Sequence, residues 1–486
     1  MSSLKKNIGL QMSYRVLTII TPLITSPIIS RALGAEKIGV YSATQAFANY
    51  FMLFAMLGVE YYGQRTIANC RTRADRSVAF WEIYAVQFVT SILSVVVYYL
   101  SVFFWSSSRI TIMIIQGFWV VSCLFDINWL YFGVEDFKLT VTRNFIVKII
   151  TVFCIIAFIR EPKDLVLYAG IMSGSTAISQ FILWCNIGKY INFERIQIKK
   201  CKRHVLPIVR LFIPMIALSI YHFMDKTMLD MLSSEAEVGY YYAADKIIYI
   251  PLGLITAVGT VMLPRVSSMI SDSKERTELL LEKSTELSIC MSSAVGFGIS
   301  AISRAFVPLF FGEGYEKCAT LLVIFVPVLF VKSLSNIVDQ QYLIPAKCDN
   351  QYTIAVTGGA VVNLICNWFL IPHLGSIGAT LGTLMAEFAV LVISLMFAKN
   401  EINFVKIFFK QSYYILFGLI MLVTVRLLDS RIHIDSNLIR LIIMIAAGGL
   451  IYCILCVMLW CNLKDKSAFG KFIELLPKTG RKGKDE

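Results

Sequence analysis

Continuous apolar runs of about 20 residues follow one another along almost the whole chain, and only loops separate them. An α-helix rises about 1.5 Å per residue, so each run can cross a hydrocarbon core about 30 Å thick. Lipid offers no hydrogen bonds, so every backbone N–H and C=O must be satisfied internally, which leaves helices and closed barrels. A barrel strand would alternate at period two over about ten residues. These runs are unbroken and about twice that length. The expected fold is therefore an all-α polytopic membrane protein with about 14 transmembrane helices. Composition agrees: 57% of the 486 residues are hydrophobic and 16% charged, where soluble domains are about a quarter charged.

The first two spans are expected near 9–30 and 39–59, the seventh and eighth near 207–232 and 239–263, and the last two within 407–461. Roughly 29 of the 45 Lys and Arg then fall on one side, including Lys5, Lys6, "RTIANCRTRADR", "KYINFERIQIKKCKR" and the tail. Both termini are expected to be cytoplasmic. The net charge of +13 is scattered through these loops. Nucleic-acid readers cluster their cations on one face or motif, so scattered charge excludes that partner and points to topology and anionic membrane lipids. Lys5 and Lys6 precede an apolar run as in a signal peptide, but Arg15 interrupts it, and the run is read as the first span. The 12 cysteines show no tight spacing framework. Cys453 and Cys456 lie in an apolar helix, where cysteine behaves as a small hydrophobe. No metal site and no cofactor is expected.

A duplication is visible at one constant offset. "EKIGVYSATQA" follows the first span and "EAEVGYYYAADK" the seventh, and setting Gly39 on Gly239 pairs Ile38 with Val238, Tyr41 with Tyr241 and Ala43 with Ala243. The implied organisation is an N-lobe at 1–200 (helices 1–6), a C-lobe at 201–400 (helices 7–12), two further helices at 401–462 and a basic cytoplasmic tail at 463–486. Six spans per half give both lobes the same topology, hence parallel repeats about an axis along the membrane normal, with a substrate site between them. "LGSIGATLGT" places Gly378 at the mouth of span twelve, where a small residue lets helices approach.

Twelve charged residues fall within or close to the ends of these spans: Arg15, Asp126, Lys148, Asp225, Lys226, Asp230, Asp245, Lys246, Arg304, Lys332, Asp339 and Glu387. Each costs roughly 2.5 to 3.5 kcal/mol at a helix centre if it faces lipid, so they must pair, snorkel or face a hydrated cavity. In "YHFMDKTMLDML", Lys226 and Asp230 are four apart and are expected to pair along one helix face. Asp225 points elsewhere, with Lys246 or Arg304 as expected partners. Arg15, Lys148, Arg304 and Lys332 have no carboxylate at helical spacing. Cations short of anions inside a bundle imply an anionic guest, and phosphate suits guanidinium and ammonium alike. The candidate cationic set is Arg15, Lys148, Lys226, Lys246, Arg304 and Lys332. Asp225, Asp230, Asp245 and Glu387 are candidates for coupling or ion pairs. Gln45, Asn49, Asn336 and Asn363 are candidate glycan contacts, with hydrogen bonding across helices as the plainer role for Asn363.

The stretches "ITPLITSPIISRALGAEKIGVYSATQAFANYF", "LGVEYYGQRTIA", "DKTMLDMLSSEAEVGYYYAADKI" and "NLICNWFLIPHLGSIGATLGTLMAE" resemble the polysaccharide-transporter, or O-antigen (Wzx-type) flippase, family. That family belongs to a superfamily with the drug and toxin extrusion (MATE) transporters and the lipid II flippase. The resemblance implies two MATE-like six-helix lobes around a cationic cavity, plus two trailing helices. It also implies flipping of undecaprenyl-diphosphate-linked oligosaccharide across the bacterial inner membrane, in a pathway with a polymerase and a chain-length regulator. No "GxxxxGK[ST]" loop occurs, so energy would come from a gradient, the potential or downstream consumption. Two alternatives remain: a multidrug extruder of the same fold, which favours an acidic cavity, and a glycan polymerase or glycosyltransferase. An enzyme would need large outer loops, and no paired carboxylates stand in these short ones beyond Glu235 and Glu237.

Overall fold

A computed structural model describes residues 2–104, 108–269, 273–432, 434 and 436–462, without the side chains of 2–16, of parts of 198–265 and of 460–462. Arg15 and the basic tail at 463–486 therefore lie outside what is described. The described residues form helices and no strand. Large apolar side chains lie on the surface, with Phe153 68%, Phe369 67% and Leu450 62% exposed. A soluble protein would bury such residues, whereas here lipid is their solvent.

The first compact unit comprises residues 1–243, 310–314 and 367–379. Its helices are α1 (Ser2–Met56), α2 (Val59–Ala68), α3 (Arg73–Phe104), α4 (Ile110–Ser122), α5 (Asn128–Gly133), α6 (Phe137–Phe158), α7 (Leu165–Trp184) and α8 (Ile198–Leu232), followed by the first turns of α9 (Glu235–Met269). In α1, Gly34 departs from helical geometry at φ 75°, ψ 168°, a conformation open mainly to glycine. The kink divides α1 into the first two expected spans. Short α5 is fixed by Gln87 of α3, which is fully buried. Its amide donates to the carbonyls of Cys123 and Asp126, both at 2.8 Å, and its oxygen accepts from Trp129 Nε1 at 2.9 Å. All its bonding capacity towards this broken segment is thus used inside the bundle.

The second unit comprises 244–309, 315–366 and 380–486. It holds the rest of α9, most of α10 (Lys274–Phe311), α11 (Glu316–Val338), most of α12 (Asp349–Leu374), most of α13 (Ser376–Ala398), α14 (Phe404–Lys410), α15 (Tyr413–Arg431) and α16 (Asn437–Asn462). One core gathers Met262, Leu281, Val338, Leu391 and Phe404. Another joins α10 to α15 and α16 through Ile289, Ala301, Met421, Val425, Met444 and Tyr452.

Ten helices among the described residues are long and apolar enough to cross a membrane, fewer than the 14 spans expected, and α1 with α2 counts as a single one of them. The 35-residue α8 and α9 are not among the ten but are long enough, at roughly 50 Å.

Within the first unit the two halves of the sequence repeat meet reciprocally. A Cβ on Gly39 would lie 1.7 Å from the carbonyl oxygen of Glu235, and one on Gly239 would lie 1.9 Å from that of Ala35. Adding the sequence offset to either contact yields the other, as at a two-fold axis. The matched residues are buried in both copies: Ile38 5% and Val238 0% exposed, Tyr41 1% and Tyr241 3%. Gly378 likewise brings α13 onto α12, since a Cβ there would lie 2.4 Å from the Leu370 carbonyl oxygen.

Candidate functional site

In the first unit the charges of "YHFMDKTMLDML" are distributed differently from the expected pairing. Arg109, just before α4, holds both carboxylate oxygens of Asp230 through Nη1 at 2.7 and 2.8 Å, and reaches Glu235 Oε1 through Nε at 2.9 Å and Nη2 at 2.6 Å. The expected Lys226–Asp230 pair does not form, because a guanidinium matches two oxygens at once where an ammonium offers a point charge. The Lys226 ammonium lies over the Tyr242 ring, 5.3 Å from its centroid. Asp225, 5% exposed, has two hydrogen-bond donors that the sequence reading did not name. It accepts from Tyr241 Oη at 2.5 Å and Asn367 Nδ2 at 2.7 Å.

Glu237, one turn into α9, accepts from the backbone N–H of Ser376 at 2.7 Å and from its hydroxyl at 2.5 Å, capping α13. The only carboxylate pair of the expected outer loops is thus divided between an arginine and a helix terminus. Asp126 is also engaged: it accepts from Asn128 Nδ2 at 2.7 Å and Gln180 Nε2 at 3.0 Å, while Arg143 reaches the same amides.

In the second unit Lys332 bonds Glu387 of α13, which corrects the expectation that it is short of an anion. Helical spacing along one sequence cannot reveal a carboxylate on a neighbouring helix. The Lys332 ammonium also stands 5.7 Å from the Tyr249 centroid and within electrostatic range of Asp245. Asp339 accepts from Ser394 Oγ at 2.6 Å. Arg304 is exposed on α10 and lies near Arg426 of α15.

Of the remaining candidates, Lys148, Asp245 and Lys246 are half-buried and engaged with other groups. Gln45 and Asn49 are half-buried one turn apart on α1. Asn336 packs against Gly259, where a Cβ would lie 2.6 Å from its Oδ1. Asn363 is fully buried, which suits bonding between helices and removes it from contact with a guest in this conformation.

Sequence reasoning missed Arg109, which reads as an ordinary loop cation. It also missed Tyr241 as a carboxylate donor, although the repeat had marked that residue. A third omission is a cluster between α3 and α8 around the buried Glu82 and His204, where Glu82 Oε2 accepts from the exposed Arg203 at 2.6 Å and lies 2.9 Å from His204 Nε2, with Tyr62 Oη 2.7 Å from Nδ1. No group of metal-ligating side chains occurs among the described residues.

Comparisons with known proteins agree with this architecture. Residues 4–270 match the family described as polysaccharide biosynthesis protein, and residues 138–447 match that of the lipid II flippase MurJ. A putative O-antigen transporter of Escherichia coli (strain K12) is 22% identical over 78% of this chain and 93% of its own length. A probable low-salt glycan biosynthesis flippase of Haloferax volcanii is 24% identical over 53% of this chain and 54% of its own. Among solved structures, an inward closed conformation of the lipid II flippase MurJ superposes with a TM-score of 0.73 at 16% identity, covering 93% of this chain and 99% of that one. An inward-facing MATE transporter gives 0.57 at 13%, covering 80% and 95%. Because the first match spans more than half of the sequence, the chain belongs to the polysaccharide biosynthesis protein family, the Wzx-type branch of the superfamily that also contains MurJ.

Proposed function

We propose that the chain flips undecaprenyl-diphosphate-linked oligosaccharide repeat units across the bacterial cytoplasmic membrane by alternating access, with both termini in the cytoplasm. The observation that carries the glycan cargo is the match to a putative O-antigen transporter over 93% of that relative's length. The reciprocal Gly39 and Gly239 contact supports alternating access, since a pseudo-symmetric closure of this kind opens by rocking one repeat against the other.

Lys226, Lys246 and Lys148 are the cations assigned to the diphosphate, which would move through the hydrated path while the polyprenyl tail stays in lipid. Lys332 contributes less net charge because Glu387 offsets it, and this pair is the candidate for coupling. A polymerase and a chain-length regulator would consume the product. Against the enzyme alternative, Glu235 and Glu237 are both held in structural bonds.

Cells in which Lys226 and Lys246 are replaced by alanine should keep the protein in the membrane and accumulate lipid-linked repeat units on the cytoplasmic face. Normal surface glycan together with export of organic cations would replace the proposal with a multidrug extruder. A changed glycosidic linkage in purified protein would replace it with an enzyme.

A further inference from the structure

One end of the α10, α15 and α16 group carries an arginine on each helix, Arg304, Arg426 and Arg440. Arg304 of α10 is exposed, and among the described residues it makes no hydrogen bond or ion pair. Arg426 of α15 lies within its electrostatic range, donates through Nη2 to the Ser300 carbonyl at 2.6 Å, and has a buried Nε–H without a partner. Among the described residues of α15 and α16 the carboxylate is Asp429, which accepts from Arg440 Nε at 2.6 Å and also lies within electrostatic range of Arg426. Like charges repel, and an unbonded buried guanidinium N–H is costly. An anion between Arg304 and Arg426 would relieve that repulsion.

The three arginines stand roughly 5 to 10 Å inside the nearest ends of their helices. Immediately deeper runs an apolar groove of about 350 Å³ between the same three helices, lined among others by Gly298, Ile302, Val425 and Gly449. It is open on one side, where Gly449 and Ile445 are exposed.

We propose that this end of the α10, α15 and α16 group is a binding site for an anionic phospholipid, with its phosphate between Arg304 and Arg426 and one acyl chain in the groove. Charge complementarity favours a head group of net negative charge, because the cationic amine of a zwitterionic lipid would be brought against the two guanidiniums. The groove favours a chain-bearing lipid over a free anion. Arg304 is a sequence candidate for the cargo, but the flippase proposal rests on Lys226, Lys246 and Lys148, so the site stands or falls separately from it.

Purified full-length protein, delipidated in neutral detergent, would be given dioleoylphosphatidylglycerol, dioleoylphosphatidylcholine or inorganic phosphate, with retained lipid counted by native mass spectrometry. Phosphatidylglycerol should bind at least about tenfold more tightly than phosphatidylcholine. Binding should weaken about tenfold in Arg304→Gln and in Arg426→Gln, with partial rescue in Arg304→Lys. Gly449→Leu should also weaken it, because a Cβ at Gly449 enters open space and the larger side chain fills the groove without meeting a neighbour at its first atom. An unchanged Tm in Gly449→Leu identifies that loss as loss of the site rather than of the fold.

Equal retention of both lipids, or full retention in the arginine variants, would overturn the proposal. Displacement of phosphatidylglycerol by inorganic phosphate, with no effect of Gly449→Leu, would reduce the site to a free-anion site and also overturn it. Tighter binding of undecaprenyl phosphate than of phosphatidylglycerol would assign the groove to the cargo instead.

Discussion

Arg109 ties the segment before α4 to the α8–α9 corner beside the reciprocal glycine contact, so its removal tests whether ion pairing holds that closure. Arg109→Ala deletes the fork on Asp230 and both bonds to Glu235. The three side chains are 20 to 30% exposed, so solvent screens the interaction well below that of a fully buried pair. Bidentate geometry and the repulsion of two unpaired carboxylates act in the other direction. On the alternating-access proposal, the net effect on the closed state is about 2 kcal/mol, or about 30-fold in the ratio of closed to open forms.

The reporter is a cysteine at Ile38, 5% exposed when closed, in a background without the exposed thiols Cys185 and Cys453. Its labelling by a membrane-impermeant maleimide should accelerate about 30-fold in Arg109→Ala and less in Arg109→Lys, which keeps charge but loses the fork. Adding Asp230→Asn to Arg109→Ala should recover part of the closure by removing the repulsion. A labelling rate within about twofold of the parent in Arg109→Ala would refute this account and leave backbone packing alone as the cause of closure.

Two further outcomes follow from the packing. Gly239→Ala places a methyl carbon 1.9 Å from the Ala35 carbonyl oxygen, so α1 and α9 must separate; the same labelling assay should report opening, and Gly39→Ala should match it. Lys332→Met strands Glu387, 4% exposed, without its ammonium, at a cost of about 3 kcal/mol, whereas Lys332→Met with Glu387→Gln should regain most of the lost Tm in detergent.

The fold class was legible in the sequence, and so was the recurring motif, because both are local or periodic. Run length sets a membrane helix, and an offset of one value from Ile38/Val238 to Ala43/Ala243 sets the repeat. The exposed Phe153 and Phe369 and the reciprocal glycines are what those patterns require. The expected cationic site was only partly legible. Lys332 and Arg304 look alike along the chain, each an isolated cation among apolar residues, yet one bonds Glu387 on another helix and the other lies within electrostatic range of a second arginine.

The sequence by itself thus determined that the chain is a bundle of apolar helices fit for lipid, that a short motif recurs at one constant offset, and that its buried charges need partners. Only the tertiary structure decided which partners those are. Helical spacing predicts neighbours along one helix, whereas the acids and bases here are satisfied across helices distant in sequence: Asp230 by Arg109, Asp225 by Tyr241 and Asn367, Lys332 by Glu387. In a low-dielectric interior the geometry of such contacts outweighs sequence proximity, because a forked or hydrogen-bonded partner stabilises a charge that a misaligned neighbour cannot.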